Sequence, residues 1–251
     1  MERREKTPDA EVCPQAEQCG ERISSAAAMR LLQFSDSMFP VGTFSFSNGL
    51  ETAGFEHVVH DAATLREFTL SQVEQAAWSD GIAMLHAYRA YDADDYEGIL
   101  RADRALMLCK MNDEARLMLK RMGKKLAELG VRLFSSDSRI LRWLGDINAD
   151  TTPGTYPVAQ GLAFAAAGVP EEDMFCSHQY GVANMVLSAA LRCVRVSHYD
   201  TQEILYELSG MVGDAYREIK DCSLSDIRAF YPELDILASL HEKGNMRMFM
   251  N

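Results

Sequence analysis

A chain of 251 residues that is 47% apolar, with only 7 prolines and 16 glycines, can bury one large core and fold along most of its length. Its formal net charge of −12 and pI near 5.0 speak against nucleic acid as a partner, since phosphates call for a concentrated basic surface. No apolar run reaches the roughly 18–20 residues that cross a bilayer, and no membrane partner is expected.

Residues 1–22 mix charges with Pro8 and Pro14, without periodicity and without a secretory apolar region. They read as a disordered tail on a chain expected in the cytoplasm. The six cysteines are scattered, with no CxxC pair, and read as free thiols of a reducing compartment. Ser24–Ser25 can cap a first helix through Met29, Leu31, Leu32 and Phe34, which Asp36, Ser37 and Pro40 should stop. Next comes a stretch too aromatic for an ordinary loop and too polar for a core, Phe39 to Glu51. It contains Pro40, Gly42, Phe44, Ser45, Phe46, Ser47 and Gly49, and Ser45 to Thr52 can form a short helix. If buried, its hydroxyls must satisfy backbone groups; if exposed, it is a docking patch.

Asp61 is a good N-cap for a long helix carrying Leu65, Phe68, Val73, Ala77, Met84 and Tyr88, with a break near Gly81. Asp80 either caps that break or is a buried acid in need of a partner. A helix over 96–111 follows, and Asn112 or Asp113 can cap the next. There Ala115, Leu119, Met122, Leu126, Leu129 and Leu133 form a narrow seam, while Arg116, Lys120, Lys124 and Arg132 make the opposite side basic. That side is a solvated face or a patch for an acidic partner. After the Thr151–Pro157 break, 158–167 is helical with small residues that allow close contact. Pro170 starts another helix, with Glu171, Glu172 and Asp173 in its first turn. Asp200 or Thr201 caps one running from Ile204 to Ile219. Ser225 opens the last, to about Leu240, leaving 241–251 as a tail. No strand pattern occurs, so the expected fold is all-α, one domain over 23–240 with roughly ten helices.

The chain contains no GxxxxGK[ST], HExxH or GxSxG motif, and Ser45 and Ser47 lack an identifiable base. His57 with His60, and Cys176 with His178, are the only short-spaced soft ligand pairs singled out, and a metal site needs about four convergent ligands. These four residues define a second reading, a helical metal-binding enzyme.

The run Pro40-Val41-Gly42-Thr43-Phe44-Ser45-Phe46-Ser47-Asn48-Gly49-Leu50-Glu51 resembles the signature P-[VI]-G-x-[FY]-[ST]-x-[ST]-x-G-[LM]-E of the urease accessory protein UreF family. Further pieces match in order: Asp80 after Trp78, Arg121-Met122-Gly123-Lys124-Lys125, Tyr156-Pro157-Val158 with Gly161, Ser188 to Arg192, and the closing Arg247-Met248-Phe249. Thr155 departs from the family's usual histidine, and Ser197-His198 from a common Gly-Gln. The resemblance implies an all-α protein that is not an enzyme and holds no cofactor. It implies a homodimer that binds UreD (UreH in some species), recruits the GTPase UreG and docks on apo-urease for GTP-dependent nickel insertion. The motif loop through Glu51, Asp80, Arg121, Lys124, Arg192, Arg247 and Phe249 are then expected to bind partners. Arg121, Lys124 and Arg192 are also candidates, by residue type, to reach the GTPase's nucleotide.

Overall fold

The computed structural model describes residues 23–42, 46–242 and 248–249. Among them there are twelve α-helices, a π-helical turn and a 3₁₀ turn, with no strand, so the protein is all-α. The expected tail over 1–22 lies outside the described residues.

Helix starts follow local side-chain chemistry. Ser24 accepts from the Ala27 N–H to open α1 (Ser25–Ser35), and Asp61 forms a capping box with Thr64 at α3 (Ala62–Ala76). Asp95 and Asn112 cap α5 (Tyr96–Cys109) and α6 (Asp113–Leu133) in the same way. Between α3 and α4 (Ile82–Asp92) the backbone does not break at Gly81. A π-helical turn, Ala77–Gly81, carries it on as one continuous element. Such single-turn insertions re-aim side chains without losing the hydrogen-bond ladder.

The core is built around α8 (Tyr156–Ala167), buried nearly all round, which lies between α4 and α6. A methyl group on Gly161 would stand 2.7 Å from the Met84 carbonyl oxygen, and one on Gly123 would be 2.6 Å from the Thr155 carbonyl carbon. Both helices therefore approach α8 or its entry at backbone distance. Ahead of α8, the fully buried Asp103 organises the Thr152–Thr155 turn. It accepts from the Thr152 hydroxyl at 2.6 Å, the Gly154 N–H at 2.8 Å, and the Thr155 N–H and hydroxyl at 2.8 and 2.6 Å. Thr155, which departs from the resembled pattern, thus has a buried partner in Asp103. α9 (Glu171–Cys193) crosses behind and joins this core to a second apolar cluster made with α2 (Leu50–Phe55), α3 and α10 (His198–Ser209).

Several sequence expectations are corrected. α7 (Ser138–Asn148) was not foreseen, although Ile140, Trp143 and Ile147 follow a helical spacing behind the Asp137 N-cap. The helix expected through 219 is two, α10 and α11 (Val212–Ile219), interrupted at Gly210–Met211. Its cap is Ser197, whose hydroxyl accepts from the Asp200 N–H while Asp200 returns the bond. Ser225 sits in the 3₁₀ turn Leu224–Asp226, and α12 (Pro232–Glu242) begins seven residues later, because proline disfavours helix in the residue before it. Instead, the N–H groups of Phe230 and Tyr231 donate to the Gln75 side chain. No described helix is long and apolar enough to cross a membrane.

Gly123→Ala is expected to lower stability by about 2 kcal/mol or more, since α6 must move off the Gly154–Thr155 backbone. Gly145→Ala, in the exposed interior of α7 with open space around it, is expected to raise it by about 0.5–1 kcal/mol. Paired urea denaturation curves check both.

Candidate functional site

The motif loop is held by its own backbone and aromatics. After α1, the Asp36 carboxylate accepts from Met38 N–H and its carbonyl from Phe39 N–H. Phe39 stacks edge-on against Phe34, which meets Phe164 in the same manner, each pair at 5.3 Å. Pro40 and Gly42 are exposed, with Gly42 at φ 90°, while Val41 and Phe46 are buried. Phe44, Ser45 and Thr43 lie outside the described residues. Ser47 is buried, and its carbonyl accepts from the Leu50 N–H. Asn48 and Gly49 both have positive φ, so the helix expected from Ser45 starts only at Leu50. At Gly49 a side chain would strain the backbone at φ 79° and bring a Cβ to 3.1 Å from the Ala238 nitrogen of α12. Most described aromatic surface of this loop therefore anchors it.

Glu51, in the first turn of α2, ties the loop to the other end of the chain. One carboxylate oxygen accepts from the Met248 N–H at 2.7 Å. The other accepts from the Phe249 N–H at 3.2 Å and lies 2.8 Å from His241 Nε2. His241 Nδ1 is 2.8 Å from Glu114 Oε1, and the Glu114 N–H donates to Glu242 Oε1. Burial pushes the Glu51 carboxyl up, but the Met248 N–H, the His241 ring and the Phe249 N–H outweigh it and hold it below its ordinary value. Residues from His241 were expected to form a tail. Instead, His241 is 3% exposed on α12, and the Phe249 ring is buried in the second apolar cluster. Arg192 is exposed, with its guanidinium 5.2 Å from the centre of that ring. Arg247 lies outside the described residues.

A cavity of 180 Å³ runs between the loop, the π-helical turn, α6, α8 and α9, with Phe46, Asp80, Arg192 and Phe249 among its lining residues. Asp80 does not cap a break. It is buried and accepts from Lys110 Nζ at 2.7 Å and the Ser79 hydroxyl at 3.2 Å, so the alternative of a buried acid with a partner holds. His178 Nδ1 donates to Gln160 Oε1 at 2.8 Å, leaving Nε2 without a hydrogen bond. Burial pushes this imidazole down to about 4, so it is neutral near pH 7.

Arg121 and Lys124 are not part of this arrangement; both stand on the exposed outer face of α6. The four residues of the metal-site reading are not gathered either. His57 and His60 are exposed between α2 and α3, Cys176 is exposed on α9, and His178 is buried. Two positions apart on one helix, Cys176 and His178 point to different sides. Among the described residues no three His, Cys, Asp or Glu side chains form a group able to hold a metal. Sequence reasoning missed His241, Glu114 and Lys110. A signal existed for the first, because His241 continues the buried stripe of Leu234, Leu237 and Ala238 on α12.

Fold and site define a helical protein whose Pro-Gly loop and C-terminal segment are closed on each other by a buried carboxylate–imidazole network. The UreF family profile matches residues 59–209. "Urease accessory protein UreF 2" of Brucella canis is 53% identical over 224 residues, 89% of this chain and 91% of that protein. "Urease accessory protein UreF 1" of Brucella melitensis is 52% identical over the same length, and "Urease accessory protein UreF" of Yersinia pseudotuberculosis is 43% identical over 230 residues, 91% of this chain and all of that protein. The chain belongs to the UreF family of urease accessory proteins.

The depressed His178 value carries a pH signature. Between its ordinary 6.5 and about 4, the unfolded chain binds a proton that the folded chain refuses, so stability falls as pH drops through that window. About 2 kcal/mol is expected to be lost from about pH 6.5 to about pH 5. His178→Gln is expected to remove that slope in denaturation curves at the two pH values.

Proposed function

We propose that this chain is a non-catalytic adaptor of urease maturation. It works in the cytoplasm as a homodimer, bound to a UreD (UreH)-type protein and recruiting a UreG-type GTPase to apo-urease. Nickel is the cargo of that assembly, delivered to the enzyme with GTP hydrolysis. Membership in the UreF family supports the role in maturation.

The observation that carries the reading is the Glu51 junction. The Pro40–Glu51 motif and the closing Arg247–Phe249 motif are nearly two hundred positions apart, |i−j| 197 for Met248 to Glu51, yet meet on one carboxylate. Two segments matching one family's motifs then present a single surface, with Pro40 and Gly42 exposed at its loop edge and Arg192 beside Phe249. Phe46, Ser47, Gly49 and Phe249 hold that surface in shape. An arginine fork suits the carboxylates of a protein partner, and aromatic and arginine anchors concentrate interface energy.

Phe44→Ala and Arg247→Ala are each expected to weaken co-purification with the UreD- and UreG-type proteins by about 2 kcal/mol, with helix content by circular dichroism unchanged. Glu51→Gln is expected to loosen the closing segment, costing about 1–3 kcal/mol, and to weaken recruitment as well. Full recruitment by all three variants would sink the reading.

A further inference from the structure

The outer face of α6 carries a charge pattern that the rest of the molecule does not explain. Arg116, Lys120, Arg121, Lys124, Lys125 and Arg132 are all exposed there. Arg116 is paired with Asp113 at 3.3 Å and Lys125 with Glu128 at 3.2 Å. Lys120, Arg121, Lys124 and Arg132 make no hydrogen bond or ion pair with any described residue. Yet the chain holds 37 acidic side chains against 25 cationic ones, so a cation placed without regard to function finds a carboxylate easily. Elsewhere that happens: Arg66 meets Glu207, Arg89 meets Glu171, and Arg139 meets Asp137.

On α6 the arrangement costs stability locally. Arg116–Lys120, Lys120–Lys124 and Arg121–Lys125 are like charges four apart, and Arg121–Lys124 three apart, spacings at which side chains are neighbours and repel. Arg132, in the last turn, is favoured by the helix dipole; the cations nearer the N-terminus are not. Folding gains no ion pair from this row's Lys120, Arg121 or Lys124 among the described residues. Its platform is rigid, because Leu119, Met122, Leu126 and Ala127 are buried beneath it and Gly123 rests on the Gly154–Thr155 backbone. Leu117 is exposed among the cations, an apolar point in a charged ring.

We propose that this face of α6 is the docking surface for an acidic protein partner, with Lys120, Arg121 and Lys124 as its centre. The proposal rests on the adaptor reading above and adds a second interface to it, remote from the Glu51 junction. Charge complementarity selects the occupant. A net charge of −12 repels nucleic acid at long range, and a membrane surface would need an apolar helix face, whereas the apolar side of α6 is buried. Against an acidic protein the row acts as a steering patch, speeding encounter and fixing orientation in a salt-dependent way.

The test compares full-length wild type with the triple variant Lys120→Glu, Arg121→Glu, Lys124→Glu and the charge-keeping triple Lys120→Arg, Arg121→Lys, Lys124→Arg. Each is titrated with purified UreD- and UreG-type proteins and apo-urease from about 50 to about 300 mM salt, a range over which exposed charges become screened. The expected result is affinity for at least one protein reduced about tenfold or more at low salt by charge reversal, with the salt dependence flattened, and no change in the charge-keeping triple. Equal affinity and salt slope for wild type and the reversal variant overturn this inference while leaving the adaptor reading intact. Wild type that binds none of the proteins removes both. Binding of RNA or phosphatidylserine vesicles by wild type, lost on reversal while protein binding persists, also overturns it.

Discussion

The Glu51 carboxylate is the constraint on which the site depends. It is a half-buried anion, and in that setting it must collect donors or become protonated. The donors are the N–H groups of Met248 and Phe249 and the ring of His241, all far from Glu51 in sequence. Satisfying one carboxylate therefore closes the C-terminal segment onto the loop. The network continues to Glu114 and Glu242, so that α2, α6 and α12 are joined through polar contacts rather than apolar burial alone. A partly satisfied network of this kind is worse than none, which makes the junction an all-or-nothing feature.

A second polar centre pairs Asp80, on the π-helical turn, with Lys110 at the end of α5, both lining the cavity. Burying an ion pair brings little net stability compared with apolar packing. Its position, where the helix is locally widened, adds a charged pair to a cavity lined also by Gln160, Ser177 and the neutral His178. The surface of the protein follows the opposite rule: carboxylates are in surplus, yet on α6 Lys120, Arg121 and Lys124 stand together without a carboxylate partner among the described residues. The molecule thus separates a conformational junction at one place from a charged face at another.

Much of this could be read from residues alone. The caps Ser24, Asp61 and Asn112 are short-range chemistry, and their helices start where those side chains can reach an N–H. Apolar spacing marked the buried face of α6, and the absence of alternating runs excluded strands. Where reading by residue failed, long-range contacts had decided. Tyr231 stays outside the last helix, before Pro232, and donates its N–H to Gln75, far away in sequence. Asp80 looked like a cap because its partner Lys110 lies thirty positions away, |i−j| 30.

The family motif, the all-α class and the acidic balance were thus determined by the sequence itself, since each depends on residue type and near-neighbour spacing. Only the tertiary structure decided which motif residues hold the loop and which face outward, because burial is a property of what packs against a residue. It was also needed to turn an apparent tail at His241 into a buried link between Glu51 and Glu114. Hydrogen bonds to a carboxylate carry no sequence spacing, so nothing in the order of residues could announce them.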